Sequence, residues 1–247
     1  MTQRLFLLPP TAWGDAGVGD VVAVTGPEAR HALQVVRLTV GERVLVADGT
    51  GRRGSGEVVG ATRDELSVRL TEVEVVPEPS PRFVLVQALA KGDRDEQAVE
   101  AATELGVDVV VPWQSERSIV QWRGEKQARG RARWESVVTA AAKQSRRARV
   151  PLVEPLVRMP GLRARLEGAA LALVLHEEAT TALAGVGLPT DGDVVLVVGP
   201  EGGITPAELA ALLEVGARSV RLGPEVLRSS GAGPAALAVL NALGRWR

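Results

Sequence analysis

Two glycine-rich stretches carry the residue types best suited to holding a small polar ligand. The first, Gly199-Pro200-Glu201-Gly202-Gly203, follows the apolar run DVVLVV and precedes Thr205-Pro206-Ala207-Glu208, a capping box with proline at the first helical position. Its glycines permit close backbone approach and positive φ, and free amides at a helix start favour an anionic or polar group. A tight strand-to-helix turn without a ligand explains the same residues about as well. The second stretch runs from Leu222 to Leu243, LGPEVLRSSGAGPAALAVLNAL. Gly223-Pro224 turns the chain, Arg228 precedes a small-residue run, and Ser229 to Pro234 are expected to bring backbone to a ligand before an alanine-rich helix begins. Close helix packing is the plainer account of those small side chains. A third strand-end loop follows LALVLH, with His176 and Glu177, so a composite pocket at the carboxyl ends of parallel strands is expected. Neither glycine loop ends in Gly-Lys-Ser/Thr, and no spaced-glycine dinucleotide pattern follows a strand, which disfavours nucleoside triphosphates and NAD.

The elements that position these loops fall into two patterns. Residues 1–76 read as short strands broken by Gly, Asp and Thr, at 21–24, 43–48, 55–60 and 66–76. One helix interrupts them, with Pro27 at its first position and EARHALQVV following. This is a barrel-like β domain. PEPSP at 77–81 favours extended backbone and serves as a linker. From Arg82 onward, continuous apolar runs at 83–89, 107–113, 171–176, 193–199 and 219–223 alternate with helices around 93–105, 131–147, 205–215 and 232–243, the pattern of a parallel sheet covered on both faces. The second domain, 82–247, is therefore α/β.

Composition excludes several classes. A chain of 247 residues, 45% hydrophobic, is long enough for two cores. It has no cysteine, and its two histidines, His31 and His176, stand far apart, so neither disulfides nor a Cys/His metal site is expected. The apolar run near the start is too short for a signal-peptide core and no later run reaches membrane-spanning length, so a cytoplasmic protein without membrane association is expected. The formal net charge is only -1, but residues 121–149 hold Arg123, Lys126, Arg129, Arg131, Arg133, Lys143, Arg146, Arg147 and Arg149 against Glu125 and Glu135. Such an imbalance suits phosphate neutralisation, with a solvated helix face as the ordinary alternative. Trp122 and Trp134 could stack on bases, although packing in the core is the commoner role.

Taken together, HALQVVRLTVGERVLVADGTG, ALAKGDRDEQAVEAATELGVDVVVPWQSERSIV, RWESVVTAAAKQSRRARVP, VVGPEGGITPAEL and LGPEVLR resemble the RsmE type of small-subunit ribosomal RNA (uracil-N3) methyltransferases within the SPOUT superfamily. The resemblance spans nearly the whole chain. It implies a PUA-like β-barrel domain followed by a SPOUT α/β domain with a trefoil knot and parallel sheet, S-adenosyl-L-methionine as cofactor without a metal, 16S ribosomal RNA within the small subunit as partner, and a homodimer. It places the cofactor against Leu175, His176 and Glu177, against Gly199, Glu201, Gly202 and Gly203, and against Leu222, Gly223, Val226, Leu227 and Arg228. Arg228 is the catalytic candidate, and Arg37, Arg117, Arg123, Arg133, Arg146 and Arg147 are the candidate RNA contacts. Many relatives carry Thr-Glu-Thr-Ala where this chain has Ser229-Ser230-Gly231-Ala232, so no catalytic base is assigned at Ser230. The alternatives are a SPOUT methyltransferase acting on another RNA or atom, and a non-catalytic RNA-binding assembly factor.

Overall fold

A computed structural model describes residues 3–246; Met1, Thr2 and Arg247, at the ends of the two expected domains, lie outside the described residues. The chain divides into two compact units, Met1–Glu78 with Ala142–Val150, and Pro79–Ala141 with Pro151–Arg247.

In the first unit, β1 (Leu5–Leu7), β2 (Val21–Thr25), β3 (Arg43–Ala47), β4 (Arg52–Ala61) and β5 (Glu65–Val75) form one sheet in the order β1-β3-β4-β5-β2. Only β1 and β3 run parallel; the other pairs are antiparallel. Alternation sends Val22 and Val24 of β2 and Leu66, Val68 and Leu70 of β5 into a core with Phe6, Trp13, Val44 and Val46. The long strand β4 bends through two bulges, and there Gly56 is required: a Cβ would lie 2.5 Å from the Arg69 carbonyl oxygen. A short helix, α1 (Pro10–Trp13), precedes β2. The expected helix after Thr25 is present in two parts. Helix α2 (Gly26–Arg30) passes into a π-helical turn over His31–Val36, closed by Arg37 in the left-handed conformation with φ +62°. Residues 142–150 belong to this unit through Lys143, whose Nζ meets Glu28 Oε1 at 2.5 Å, and through Arg149, whose Nη2 donates to the Val76 carbonyl at 3.1 Å.

The second unit is a six-stranded parallel sheet of β6 (Arg82–Ala88), β7 (Val109–Trp113), β8 (Leu152–Val153), β9 (Leu171–Leu175), β10 (Asp193–Val198) and β11 (Arg218–Val220), ordered β11-β9-β10-β6-β7-β8. Helices α3 (Arg94–Glu104), α4 (Glu125–Gln144), α5 (Met159–Glu167), α6 (Pro206–Glu214) and α7 (Ser229–Leu243) complete it. The central strands β6 and β10 are buried along almost their whole length, which is why they read as unbroken apolar runs. At the amino end of β10, Asp193 accepts from Arg82 Nε at 2.8 Å and Arg165 Nη2 at 2.6 Å. Burial would raise its pKa, but the two guanidiniums outweigh burial and hold it below the ordinary carboxylate value.

Three details depart from the sequence reading. Helix α4 starts at Glu125 rather than near 131, continuing through Gly130, because that glycine makes room for the Trp122 ring. The segment from Ser229 to Pro234 is already helical in α7, with Pro234 inside the helix. Gly233 directly before it has no Cβ to meet the proline ring, so the usual bar against helix at that position is weakened. Strands β1 and β8 and helices α1 and α5 were not anticipated.

Candidate active site

Strands β9, β10 and β11 end side by side, and the loops leaving their carboxyl ends enclose a cavity of about 460 Å³. All twelve positions expected to touch a cofactor line it: Leu175, His176 and Glu177 after β9, Gly199, Glu201, Gly202 and Gly203 after β10, and Leu222, Gly223, Val226, Leu227 and Arg228 after β11. Arg94, Arg117, Arg221, Glu225 and Ser229 also face it. Of the residues expected to contact RNA, only Arg117 reaches this cavity.

The Gly199–Gly203 loop is held from two sides. At its exit the capping box forms as the sequence dictates: Thr205 Oγ1 accepts from the Glu208 amide at 3.1 Å, and Glu208 Oε2 accepts from the Thr205 amide at 3.0 Å. The other Glu208 oxygen accepts from the Glu116 amide at 2.8 Å, and the Thr205 hydroxyl donates to Glu116 Oε2 at 3.1 Å. Arg117 Nη1 donates to the Gly202 carbonyl at 2.8 Å. Thus the Ser115-Glu116-Arg117-Ser118 turn, itself closed by a 3.1 Å contact between the buried hydroxyls of Ser115 and Ser118, braces the glycine loop. Gly202 packs against the stem of Arg117, where a Cβ would sit at 3.2 Å, and Gly203 is left-handed with φ +75°. Gly203, for its positive φ, and Gly199, where a Cβ would lie 2.7 Å from Ile204 Cγ1, are the two positions of the loop where glycine is structurally demanded.

The neighbouring loops are fixed mainly by backbone. The His176 amide donates to the Val220 carbonyl at 3.0 Å, and the His176 ring accepts the Glu178 amide at Nδ1, at 3.3 Å. Arg221 is tied at both its amide and its carbonyl, to Thr181 and Leu183. The Arg228 carbonyl accepts the amides of Gly231 and Ala232, both at 2.9 Å, starting α7, while its side chain is exposed. Ser229, the first residue of α7, is buried, and its hydroxyl has no hydrogen-bond partner among the described residues.

The charges around the cavity are mixed. Arg94 Nη1 reaches Glu201 Oε1 at 3.1 Å, joining the turn before α3 to the glycine loop. Glu177 and Glu225 leave further carboxylates at the lining. Immediately after Arg94, Asp95 is 6% exposed, and burial pushes its carboxyl from 3.8 up to about 6 although the Glu96 amide donates to it at 3.0 Å. Sequence reasoning missed Asp95 because its burial depends on tertiary packing. Among the described residues no three His, Asp or Glu side chains form a metal-binding group.

The candidate RNA contacts have separate environments. Arg37 is exposed beyond the π-helical turn of the first unit. In that unit Arg146 is left-handed and its carbonyl accepts from Arg53 at 2.7 Å, while Arg147 is half-buried. In the second unit Arg123 is exposed, and Arg133 Nε pairs with Glu96 at 2.8 Å. Several other cations of the basic stretch are also paired, Arg129 with Glu125 and Arg131 with Glu135. Trp122 and Trp134 are buried in edge contact at 5.7 Å, so both serve as packing, and Trp122 in addition lines a surface pocket with Lys126 and Arg129. No helix among the described residues is long and apolar enough to cross a membrane.

Comparison with known proteins agrees with this layout. A model described as an RNA methyltransferase domain matches residues 77–241, and one described as an RNA methyltransferase PUA domain matches residues 24–71. The chain is 44% identical over 233 residues to a ribosomal RNA small subunit methyltransferase E of Mycobacterium bovis, covering 92% of this chain and 89% of the relative. It is 29% identical over 227 residues to the protein of that name from Bacillus subtilis, covering 89% of each. A crystal structure of a ribosomal RNA small subunit methyltransferase E from Neisseria gonorrhoeae, bound to S-adenosyl methionine, superposes with a TM-score of 0.84 at 28% identity over 98% of both chains. A PUA-like domain followed by a parallel-sheet α/β domain, with a strand-end cavity braced by the Ser115–Ser118 turn and identity of this extent, establishes that the chain is an enzyme of the RNA methyltransferase family that includes the ribosomal RNA small subunit methyltransferases E.

Proposed function

We propose that this enzyme transfers the methyl group of S-adenosylmethionine to N3 of one uridine in 16S ribosomal RNA, acting on the small subunit in the cytoplasm as a homodimer. The observation that carries this reading is the convergence of the twelve positions expected to touch the cofactor on one cavity. The residues present suit that ligand. A volume of about 460 Å³ is within the usual size of small-molecule sites. Glycine loops offer backbone groups at close range, Glu177, Glu201 and Glu225 suit a cationic ligand, and the unpartnered Ser229 hydroxyl is a polar group open to a ligand's hydrogen bond. The trefoil knot implied by the resemblance belongs to this same reading.

When bound, the cofactor supplies an already activated methyl group on a sulfonium. The protein's own residues then have three tasks. The loops after β9, β10 and β11 hold the donor. The uracil must leave its stacked or paired position to expose N3. Arg228, exposed at the start of α7 and lining the cavity, stabilises negative charge that develops on the base as N3 loses its proton to solvent. Arg37, Arg117, Arg123, Arg133, Arg146 and Arg147 contribute to RNA affinity.

The test is mass spectrometry of small-subunit ribosomal RNA from cells lacking the protein, before and after incubation of their subunits with purified protein and labelled S-adenosylmethionine. Loss and restoration of 3-methyluridine at one position is the expected result. Unchanged 3-methyluridine, with no label entering the RNA, would overturn the assignment.

A further inference from the structure

The turn between β6 and α3 is set apart from the three loops already described. Strand β6 lies beside β10, and the chain leaves them in opposite directions, from β6 through α3 to β7 and from β10 through α6 to β11. The carboxyl ends of β6 and β10 therefore flank a topological switch point, the usual place for a ligand in an open parallel sheet. At β10 the glycine loop occupies this place. At β6 it is occupied by Lys91-Gly92-Asp93-Arg94.

This turn is held at a cost. Gly92 and Asp93 are both left-handed, with φ +67° and +56°. Nothing lies within 4 Å of where a Gly92 Cβ would be, so crowding does not force the bend. Asp95 closes the exit of the turn, accepting the Glu96 amide at 3.0 Å while buried away from water. A left-handed Asp93 and a desolvated carboxylate at Asp95 are unfavourable for stability, whereas Gly92 takes positive φ freely, and such features persist where they position something. What they position is two cations. Lys91 is exposed and has no hydrogen-bond or ion-pair partner among the described residues, and Arg94 lines the cavity.

We propose that Lys91 and Arg94 grip backbone phosphate of the RNA beside the target nucleotide, with Asp95 as the positioning residue that fixes the turn. This rests on reading the cavity as the cofactor site and the substrate as RNA. Arg94 lines the cavity that the other three loops form, and Lys91, exposed three residues before it and outside that lining, is left for a polyanion that approaches the site. The ion pair with Glu201 keeps the Arg94 guanidinium at the cavity lining.

The experiment measures steady-state methylation of unmodified small ribosomal subunits at several salt concentrations, with cofactor affinity followed separately by calorimetry. Lys91→Ala is the first variant, because an exposed unpartnered lysine can be removed without disturbing the fold. The expected result is a KM for subunits raised about five- to tenfold at low salt, kcat and cofactor affinity unchanged, and a salt slope shallower by about one. Arg94→Lys keeps a charge opposite Glu201 but loses the planar fork, and is expected to raise KM while retaining cofactor binding. Asp95→Asn is expected to raise KM for subunits with little change in kcat, which a purely structural role would not produce. Wild-type activity with unaltered Lys91→Ala kinetics and salt slope would overturn the inference alone. A wild-type protein that took up no cofactor and left the RNA unmethylated would overturn the reading of the cavity, and the inference with it.

Discussion

Replacing Gly130 by alanine sets two effects of opposite sign against each other. Gly130 lies inside α4, where an alanine would ordinarily stabilise the helix by about 1 kcal/mol. The structure predicts the reverse. A Cβ there would lie 2.4 Å, 2.5 Å and 2.6 Å from Cε2, Cζ2 and Cδ2 of Trp122, whereas carbon atoms in contact normally stand about 3.5–4.0 Å apart. These are rigid ring atoms, and the ring must retreat by roughly 1 Å. It is buried and in edge contact with Trp134, and its backbone amide donates to Gln114 Oε1 at 3.0 Å. Overpacking of this kind costs about 1–3 kcal/mol, and disturbing the aromatic pair about 0.5–1.5 kcal/mol more. After the helical gain is subtracted, Gly130→Ala should destabilise the second unit by about 0.5–3.5 kcal/mol. Urea unfolding of the wild type, Gly130→Ala, Trp122→Leu and the double variant forms the appropriate cycle. In the Trp122→Leu background the same alanine should be neutral or stabilising by up to about 1 kcal/mol. A stabilising Gly130→Ala in the wild-type background, or the same effect in both backgrounds, would refute the argument.

Asp95, whose pKa rises from 3.8 to about 6 on folding, binds more protons in the folded state than in the unfolded state between those values, so its contribution to stability falls as pH rises through that window. At 1.36 kcal/mol per unit this amounts to about 3 kcal/mol, so stability relative to Asp95→Asn should decline by up to that amount between pH 4 and 7; a flat difference in denaturation midpoints would contradict it. Thr205→Ala removes one half of the capping box and the hydroxyl contact to Glu116, and should cost about 1 kcal/mol in thermal or urea unfolding while weakening cofactor binding measured by calorimetry. Gly203→Ala forces a side chain into φ +75° and should cost about 1–2 kcal/mol, with a larger loss of cofactor affinity than of stability because the loop must shift.

Much of the site was legible in local chemistry. Continuous apolar runs identified the buried parallel strands β6, β7, β9 and β10, since burial on both faces removes any polar alternation. The Thr205-Pro206-Ala207-Glu208 box signalled the start of α6 because its hydrogen bonds span only three residues. The glycine loops and His176-Glu177 could be assigned to strand ends on the same grounds. Other elements carry too little local signal. Strand β1 has three residues, β8 has two, and each is defined by a parallel partner distant in the chain. The start of α7 was obscured because Gly231, Gly233 and Pro234 weaken helical signal individually, while the reason for a glycine at 233, where a Cβ would lie 3.1 Å from Leu85 Cδ1, exists only in the folded sheet.

By itself the sequence determined the two patterns of structure, the order of the strand-end loops and the family to which they belong, because periodicity, capping and motif order are properties of neighbouring residues. The tertiary structure alone decided that the Ser115–Ser118 turn braces the glycine loop, that Arg94 reaches Glu201 107 residues away, that Trp122 and Trp134 pack on each other, and that Asp95 is buried. Each of these depends on which strands become neighbours in the sheet and on how much water their packing removes, and those quantities exist only once the chain has folded.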